Sequence, residues 1–294
     1  MKNFELTRRR HTGVVFAYAV AIPVLLYFIL FYYYPFFMNF IYMFCNYDYI
    51  SEPKFVGMKN ILRFLGDTGA WHAFFNVLLI AVVCVPLILA FSLIIATLLF
   101  NLTKGKTVFR SAIFATFLTS NVVAAIVFKS LFGEELGFIN NFLSSLGLGK
   151  VPWFTEPAFA LATIMIVTVW NAIGYYMVIL LAGLSGISPD LYEAATIDGA
   201  NVLQKFLFIT IPQLKNPLVF SLIIATLGCL RSYSIVLVLT NGGPYGSTRT
   251  MLMEIFDHGI SSGDVGYASV LAVFMAILMM AISIVQLKVT KYDE

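Results

Sequence analysis

The sequence predicts an all-α membrane protein with six transmembrane helices. The chain of 294 residues is 60% hydrophobic and only 11% charged, whereas charged residues make up about 25% of a typical soluble domain. Apolar runs of the length needed to cross a bilayer core recur along the whole chain. A β-barrel would show short alternating segments instead, so the predicted class is polytopic and helical.

The apolar runs define six predicted spans within one transmembrane domain that covers residues 1–294. Each run is long enough to cross about 30 Å of hydrocarbon at about 1.5 Å per residue. The first run follows Arg8, Arg9 and Arg10, but it exceeds the roughly 7–15 apolar residues of a signal peptide and is interpreted as an uncleaved span. The spans lie at 13–36, 73–99, 109–132, 158–182, 217–240 and 266–287.

The distribution of basic residues predicts the orientation of these spans. The terminal segments and the loops after the second and fourth spans carry eleven Lys and Arg residues, and the opposite loops carry five. Loops richer in Lys and Arg remain in the cytoplasm. Both termini and the loop after the fourth span are therefore expected on the cytoplasmic side. Lys129, near the outer end of the third span, is expected to snorkel to the surface.

Signatures of catalysis, metal binding and nucleotide binding are absent from the sequence. The three cysteines have no paired spacing, and neither a GxSxG nor an HExxH pattern occurs. Gly105-Lys106-Thr107 is similar to the end of a phosphate-binding loop, but Phe100 stands where that motif needs Gly. The chain is therefore predicted to have no catalytic residue, no metal site and no ATP site of its own.

A polar segment at 188–212, between the fourth and fifth spans, is the most informative stretch. Ser188 can cap a helix that begins at Pro189, and Asp190 complements the positive end of its dipole. Gly199 is suited to a bend, and a second helix is predicted at about 201–209. On these local features alone, an ordinary solvated helix–turn–helix loop remains an alternative to a docking element.

The spacing of this segment resembles the EAA loop of ATP-driven, binding-protein-dependent importers. The resemblance implies that the loop docks into an ATPase subunit, with Ala194 and Ala195 keeping one helix face slim and Glu193 and Asp198 available to pair with basic residues. Ile211 departs from the Leu that is usual before the final Pro. The matching residues are Glu193, Ala194, Ala195, Gly199, Ile209 and Pro212.

Three further motifs resemble the carbohydrate-uptake branch of this family, in particular its maltose-transporter-type membrane subunit. They are FVGMKN at 55–60, TNGGP at 240–244 and GYAS at 266–269. The resemblance implies a type I importer permease in a bacterial inner membrane, half of a heterodimer with a second permease subunit. It also implies an ATPase pair that binds ATP and Mg, an extracytoplasmic binding protein and a sugar substrate, with no cofactor in this chain and no nucleic acid.

Polar residues inside the fifth span are candidates for the substrate pathway, because such residues are costly in a bilayer. Arg231 lies well inside this span and is flanked by Cys229, Ser232 and Tyr233. The resemblance implies that residues about a dozen positions before TNGGP line the sugar site and that some carry amides. Arg231 departs from that pattern and leans mildly towards an acidic sugar. The predicted substrate is an oligosaccharide or related sugar, with an acidic sugar or a glycerol-phosphate-type substrate as the alternative. A structural Arg bound to carbonyls is the alternative.

The fourth span provides a second group, Asn171, Tyr175 and Tyr176. Tyrosine rings stack on apolar sugar faces, while hydroxyl and amide groups bind the polar edges. Alternatively, Asn171 bonds between helices and the tyrosines pack or lie in an interfacial belt.

Two other classes of function remain open. An ion-coupled secondary transporter would work without an ATPase, but intramembrane carboxylates are absent from the predicted spans. A membrane scaffold or sensor that transports nothing is the other alternative.

Overall fold

A computed structural model describes residues 18–290. They form two compact units, one of the described residues up to Gly66 with Ile255–Phe274, and one of Asp67–Glu254 with the described residues from Met275. The helices are α1 (Tyr18–Tyr42), α2 (Lys59–Gly66), α3 (Thr68–Phe100), α4 (Lys106–Leu118), α5 (Asn121–Leu131), α6 (Phe138–Ser145), α7 (Pro157–Ser185), α8 (Pro189–Ile197), α9 (Val202–Gln213), α10 (Lys215–Leu230), α11 (Ser234–Leu239), α12 (Met251–Phe256) and α13 (Val265–Thr290). Strands β1 (Cys45–Asn46) and β2 (Lys54–Phe55) form an antiparallel pair.

Four of these helices are long and apolar enough to cross a membrane, and two bent pairs bring the number to six if each pair is one span. The single helices are α1, α3, α7 and α13. The predicted spans 73–99, 158–182 and 266–287 lie inside α3, α7 and α13. The predicted span 13–36 overlaps α1, which continues to Tyr42, and its residues 13–17 lie outside the described part of the chain.

The first unit is held together by polar bonds around its hairpin. The amide of Asn60 donates to the carbonyls of Met43 and Cys45 at 3.2 and 2.8 Å. The guanidinium of Arg63 pairs with Asp264 at 2.5 Å and lies 4.0 Å from the centroid of the Tyr267 ring. These contacts fix α2 and the start of α13 against the hairpin.

A short turn in the same unit is fixed by Asp48. The backbone N–H groups of Ser51 and Ile50 donate to its carboxylate at 2.7 and 3.1 Å. These bonds favour the charged form and hold the pKa of Asp48 below its ordinary value.

The second unit is built around α3 and α7, which pack along each other. Helix α3 begins at an Asp67 cap, whose side chain accepts from the N–H of Ala70, and it continues through Pro86 without ending. Helix α4 crosses α7 so closely that a Cβ on Gly174 would lie 2.5 Å from the carbonyl oxygen of Ile113. Helix α10 packs against α3 and also contacts α7.

The third and fifth predicted spans are broken rather than continuous. The span predicted at 109–132 consists of α4 and α5, which meet at 96° around Thr119 and Ser120. The span predicted at 217–240 consists of α10 and α11, separated by Arg231–Tyr233. Helices α9 and α10 also meet at 70°. Each of these two apolar runs therefore contains two helices with a short break between them.

The first break is stabilised by Asn171 of α7. Its amide nitrogen donates to the carbonyls of Thr116 and Thr119 at 3.0 and 3.1 Å. Carbonyls at the end of a helix have no partner within the helix, and in a membrane they need one from the protein. One side chain from another helix therefore makes the 96° bend compatible with an apolar environment.

Candidate functional site

A polar cavity of about 200 Å³ lies where the two broken helices meet α3 and α7. It contains six of the seven residues that sequence analysis assigned to the substrate pathway, although they come from two segments far apart in sequence. The lining residues are Ile88, Asn121, Thr168, Asn171, Ala172, Tyr176, Ala225, Gly228, Cys229, Arg231, Ser232, Tyr233, Ser234 and Ile235.

The seventh residue, Tyr175, is not among the lining residues. Its ring lies 4.7 Å from that of Phe117 and meets the ring of Tyr176 edge-on at 5.1 Å. Tyr175 thus packs α7 against α4, which agrees with the alternative that the tyrosines have a packing role. Its ring also contacts the ring of Tyr176.

The break between α10 and α11 presents Arg231 to the cavity. Arg231 ends α10, and its Nε donates to the carbonyl of Leu227 at 3.3 Å. A cation at this position complements the negative end of the helix dipole. Within residues 18–290, no carboxylate lies within 4.0 Å of its guanidinium, and the lining residues include neither Asp nor Glu. The cavity therefore contains a positive charge and neutral polar groups.

Asn171 has fewer hydrogen-bonding groups available to a ligand than the sequence indicates. Both hydrogens of its amide serve the carbonyls at the end of α4, so its Oδ1 is the atom available to accept a hydrogen bond. The structure thus shows the interhelical role of Asn171, and its pathway role stays a prediction that rests on Oδ1.

Several lining residues were missed by sequence reasoning. Thr168 and Ala172 precede Asn171 and Tyr176 by three and four positions on α7, which places all four on one face of a helix. That spacing could have identified them. Gly228 has no comparable signal, because the break that brings it to the cavity is not visible in an apolar run.

The segment 188–212 forms two helices joined by a tight turn. Gly199 has φ of +76°, a left-handed conformation that an L side chain rarely adopts. The second helix, α9, is capped by Asn201, whose side chain and that of Gln204 form a reciprocal capping box. Ser188 occupies the predicted N-cap position before Pro189, but its side chain makes no capping bond, and its hydroxyl donates to the Asp190 carboxylate at 3.2 Å.

The two helices are braced against each other and leave the EAA residues at the surface. The hydroxyls of Tyr192 and Thr210 lie 3.0 Å apart, and Nζ of Lys205 donates to Oγ1 of Thr196 at 2.8 Å. The residues exposed in this segment include Glu193, Ala194, Asp198 and Gly199, while Ala195 is half-buried. An adjoining apolar cavity of about 860 Å³ is lined by residues such as Leu184, Pro189 and Phe206.

The ends of this segment are embedded in the core of the second unit. Ile187 and Leu214 belong to one buried cluster with residues of α3 and α7, including Leu99 and Met177. A Cβ on Gly183 would lie 2.8 Å from both Leu214 and Pro217. Because packed interiors transmit displacement with little compression, we expect a movement of this segment to shift α3 and α7 as well.

Bent spans around a polar cavity, joined to a surface loop, define a helical membrane protein of the transporter class. The chain belongs to the family described as "Binding-protein-dependent transport system inner membrane component", whose model matches residues 69–290. The family confirms the resemblance found in the sequence and the predicted helical membrane fold.

Relatives and a solved structure agree with this membership. The chain is 34% identical over 244 residues to the trehalose/maltose transport system permease protein MalF of Thermococcus litoralis, covering 83% of this chain and 82% of MalF. It is 32% identical over 281 residues to the arabinooligosaccharides transport system permease protein AraP of Bacillus subtilis, covering 93% and 88%. A chain of a bacterial ABC transporter that imports the acidic polysaccharide alginate has the same fold, with a TM-score of 0.83, 20% identity, and coverage of 96% of this chain and 97% of that one.

Proposed function

We propose that this chain forms half of the translocation pathway of an ATP-driven importer for a sugar, in particular an oligosaccharide. The observation that carries the proposal is the connection between the polar cavity and the exposed EAA-type segment through one buried core. A second permease subunit would supply the other half of the pathway. The cavity of about 200 Å³ in this chain is smaller than the roughly 300–1,000 Å³ of ordinary ligand sites, which supports a pathway completed by another chain.

Coupling to ATP would occur at the segment 188–212. Glu193 and Asp198 present carboxylates at its surface, and within residues 18–290 neither has an ion-pair partner. An ATPase pair, which would bind ATP and Mg, is expected to dock here with basic residues facing these acids. ATP-bound and ATP-free ATPases must make different contacts with this segment, since only differential binding shifts a conformational equilibrium.

The orientation proposed from the basic residues places this segment and both termini in the cytoplasm of a bacterial cell. The loaded binding protein would dock on the opposite side, on loops that include 241–262. Alternating exposure of the cavity to the two sides would then move the sugar inward.

The sugar is proposed from the chemistry of the cavity and from the names of the relatives. Tyr176, Ser232 and the Oδ1 of Asn171 provide a ring and neutral polar groups of the kind that bind sugars. MalF and AraP are named for trehalose or maltose and for arabinooligosaccharides. Arg231 favours a second candidate, an acidic sugar or a glycerol-phosphate-type substrate, because its guanidinium can bind a carboxylate or phosphate in a bidentate manner.

The test is purification of the tagged chain at native expression level in mild detergent, with identification of co-purifying proteins. A second permease and an ATPase are the expected partners. Uptake by the reconstituted complex is then measured with trehalose, maltose, an arabinooligosaccharide and a uronic-acid oligosaccharide, each with its binding protein. Recovery of the chain alone in several detergents, with uptake driven by an ion gradient, would contradict the proposal.

A further inference from the structure

We propose that Lys129 is a positioning residue that joins α5 and α11, so that these two short helices move as one wall of the cavity. The inference rests on the proposed transport function, in which the cavity opens alternately to each side. It concerns how the two broken helices are held together beyond their breaks.

Both helices begin at a break and contribute their first residues to the cavity. Helix α5 starts at Asn121, directly after the 96° bend, and α11 starts at Ser234, directly after Arg231–Tyr233. Asn121, Ser234 and Ile235 all line the cavity. A break leaves each helix connected to its preceding helix by a few residues that can change their backbone angles, as hinges do.

The two helices pack against each other along their lengths. The small side chains of Ala124 and Ala125 are buried on α5, and the larger Ile235, Val236 and Leu239 are buried on α11. Small residues at a helix contact allow close approach, but they provide little directional restraint. Apolar packing of this kind would let one helix slide on the other.

Lys129 adds a directional bond to this contact. Its Nζ donates to the carbonyl oxygen of Val238 at 2.9 Å. Helix α11 has six residues, and its neighbouring carbonyls are already used, because those of Val236 and Leu237 accept from the N–H of Asn241 at 3.0 and 3.1 Å. A cation at this end of α11 also complements the negative end of its dipole. The ammonium thus binds a helix terminus.

The far end of α11 is itself fixed to a stiff turn. The hydroxyls of Thr240 and Thr248 lie 2.8 Å apart, and Thr248 Oγ1 also donates to the carbonyl of Gly243 at 2.7 Å. Lys129 therefore links α5 to the end of α11 that joins this turn. With a hinge at the near end and a charged bond at the far end, the pair is expected to rotate as a single body.

The direct test measures the distance between the two helices in the assembled transporter in lipid nanodiscs. Cysteines replace the exposed Val123 and Leu237, spin labels are attached, and distance distributions are recorded without nucleotide and with ATP plus vanadate. A background without engineered cysteines accounts for labelling of native thiols, which are buried. We expect a narrow distribution of equal width in both states for the native Lys129.

Removal of the ammonium is expected to broaden this distribution. In Lys129→Met, separated arrangements rise about tenfold in population, the factor expected on losing one hydrogen bond to a charged group. Lys129→Arg restores the narrow distribution. Lys150→Met, which replaces an exposed lysine in a loop, leaves the distribution unchanged. A native-like width for Lys129→Met in both states would overturn the inference.

A second measurement separates this inference from the proposed function. The quantity measured is the number of ATP molecules hydrolysed for each sugar molecule imported. If the helices move together to couple import to ATP, this ratio is expected to be several times higher for the intact complex that carries Lys129→Met. Failure of every sugar to be imported by the native complex would contradict the proposed function, while the label distances would still decide whether Lys129 joins the helices.

Discussion

Arg231 places a positive charge in the cavity lining and is the residue proposed to restrict the substrate most. It ends α10, uses its Nε on the Leu227 carbonyl, and lies in a cavity whose lining has neither Asp nor Glu. The remaining guanidinium donors are therefore directed at neutral groups, water or cargo. In Arg231, as in Asn171, the atom that bonds to a helix carbonyl is different from the atoms proposed to bind a ligand.

Replacing Arg231 with Met is expected to lower the uptake rate at subsaturating substrate by about tenfold, because hydrogen bonds to a charged group contribute about 1.5–3 kcal/mol. Arg231→Lys should recover part of the loss, since it keeps the charge and loses the planar fork. The measurement is initial uptake by reconstituted complexes, with the amount of assembled complex as the reference. Native uptake by the Met variant would assign Arg231 to capping alone.

Gly199 allows the docking role of its segment to be tested apart from backbone strain. Its φ is +76°, and no atom lies within 4 Å of a Cβ built on it. Gly147 has φ of +77° and equally open surroundings, in a loop far along the chain. Because an L residue is strained in the left-handed conformation, aspartate at either position is expected to lower the folding stability by a similar amount, about 1–2 kcal/mol.

We expect Gly199→Asp to abolish uptake while the chain still inserts, because the new side chain intrudes on the ATPase surface. Glu193→Lys is expected to do the same by reversing a docking charge. Gly147→Asp serves as the strain-matched control and should retain uptake. ATP-dependent uptake and ATPase co-purification are measured for all three, and normal transport by Gly199→Asp or Glu193→Lys would exclude the coupling assignment.

At the level of elements, the crossing of α4 and α7 holds the first broken span in place. Gly174 permits this crossing, and Thr116 and Ile113 of α4 lie against it. The same contact brings Asn171 to the carbonyls at the bend. The close approach of α4 and α7 and the hydrogen bonding of the carbonyls at the bend therefore depend on each other.

Gly174→Ala is expected to lower the thermal stability of the complex by several degrees, since even one methyl group would lie 2.5 Å from a backbone oxygen. Overpacking of this kind costs about 1–3 kcal/mol. Gly228→Ala is the matched control, because no atom lies within 4 Å of its Cβ in a similar apolar helix. Equal melting temperatures for the two variants would show that the α4–α7 crossing is not tight.

Sequence analysis could predict elements whose signals are local. Helix α3 is readable from its apolar run, and the turn at Gly199 from a glycine between two helix-forming stretches. The EAA spacing predicted a docking segment because its residues lie within one short stretch of sequence, and the structure places that stretch at the surface.

The two breaks could not be predicted in the same way. Thr119, Ser120 and the segment Arg231–Tyr233 are short polar interruptions in long apolar runs, and the total length of each run still suits one span. The first break is stabilised by a hydrogen bond from the side-chain amide of Asn171 to the carbonyl of Thr119, and these two residues are 52 positions apart in sequence. A tertiary contact of this range leaves no signal in local hydropathy.

For the whole molecule, family membership and the arrangement of the cavity support one account. The family is a membrane component of binding-protein-dependent transport, and the second unit joins a polar cavity to an exposed segment through a shared core. Energy released at an ATPase could thus reach the cavity as a movement of packed helices. The first unit is braced separately, by pairs such as Arg63 and Asp264.

The most direct measurement is sugar uptake into proteoliposomes that contain the complex co-purified with this chain, supplied with loaded binding protein outside and either ATP or ADP within. The account predicts uptake with ATP, none with ADP, no effect of ionophores that dissipate ion gradients, and loss of uptake in Gly199→Asp. Uptake that persists with ADP and disappears with ionophores would contradict it.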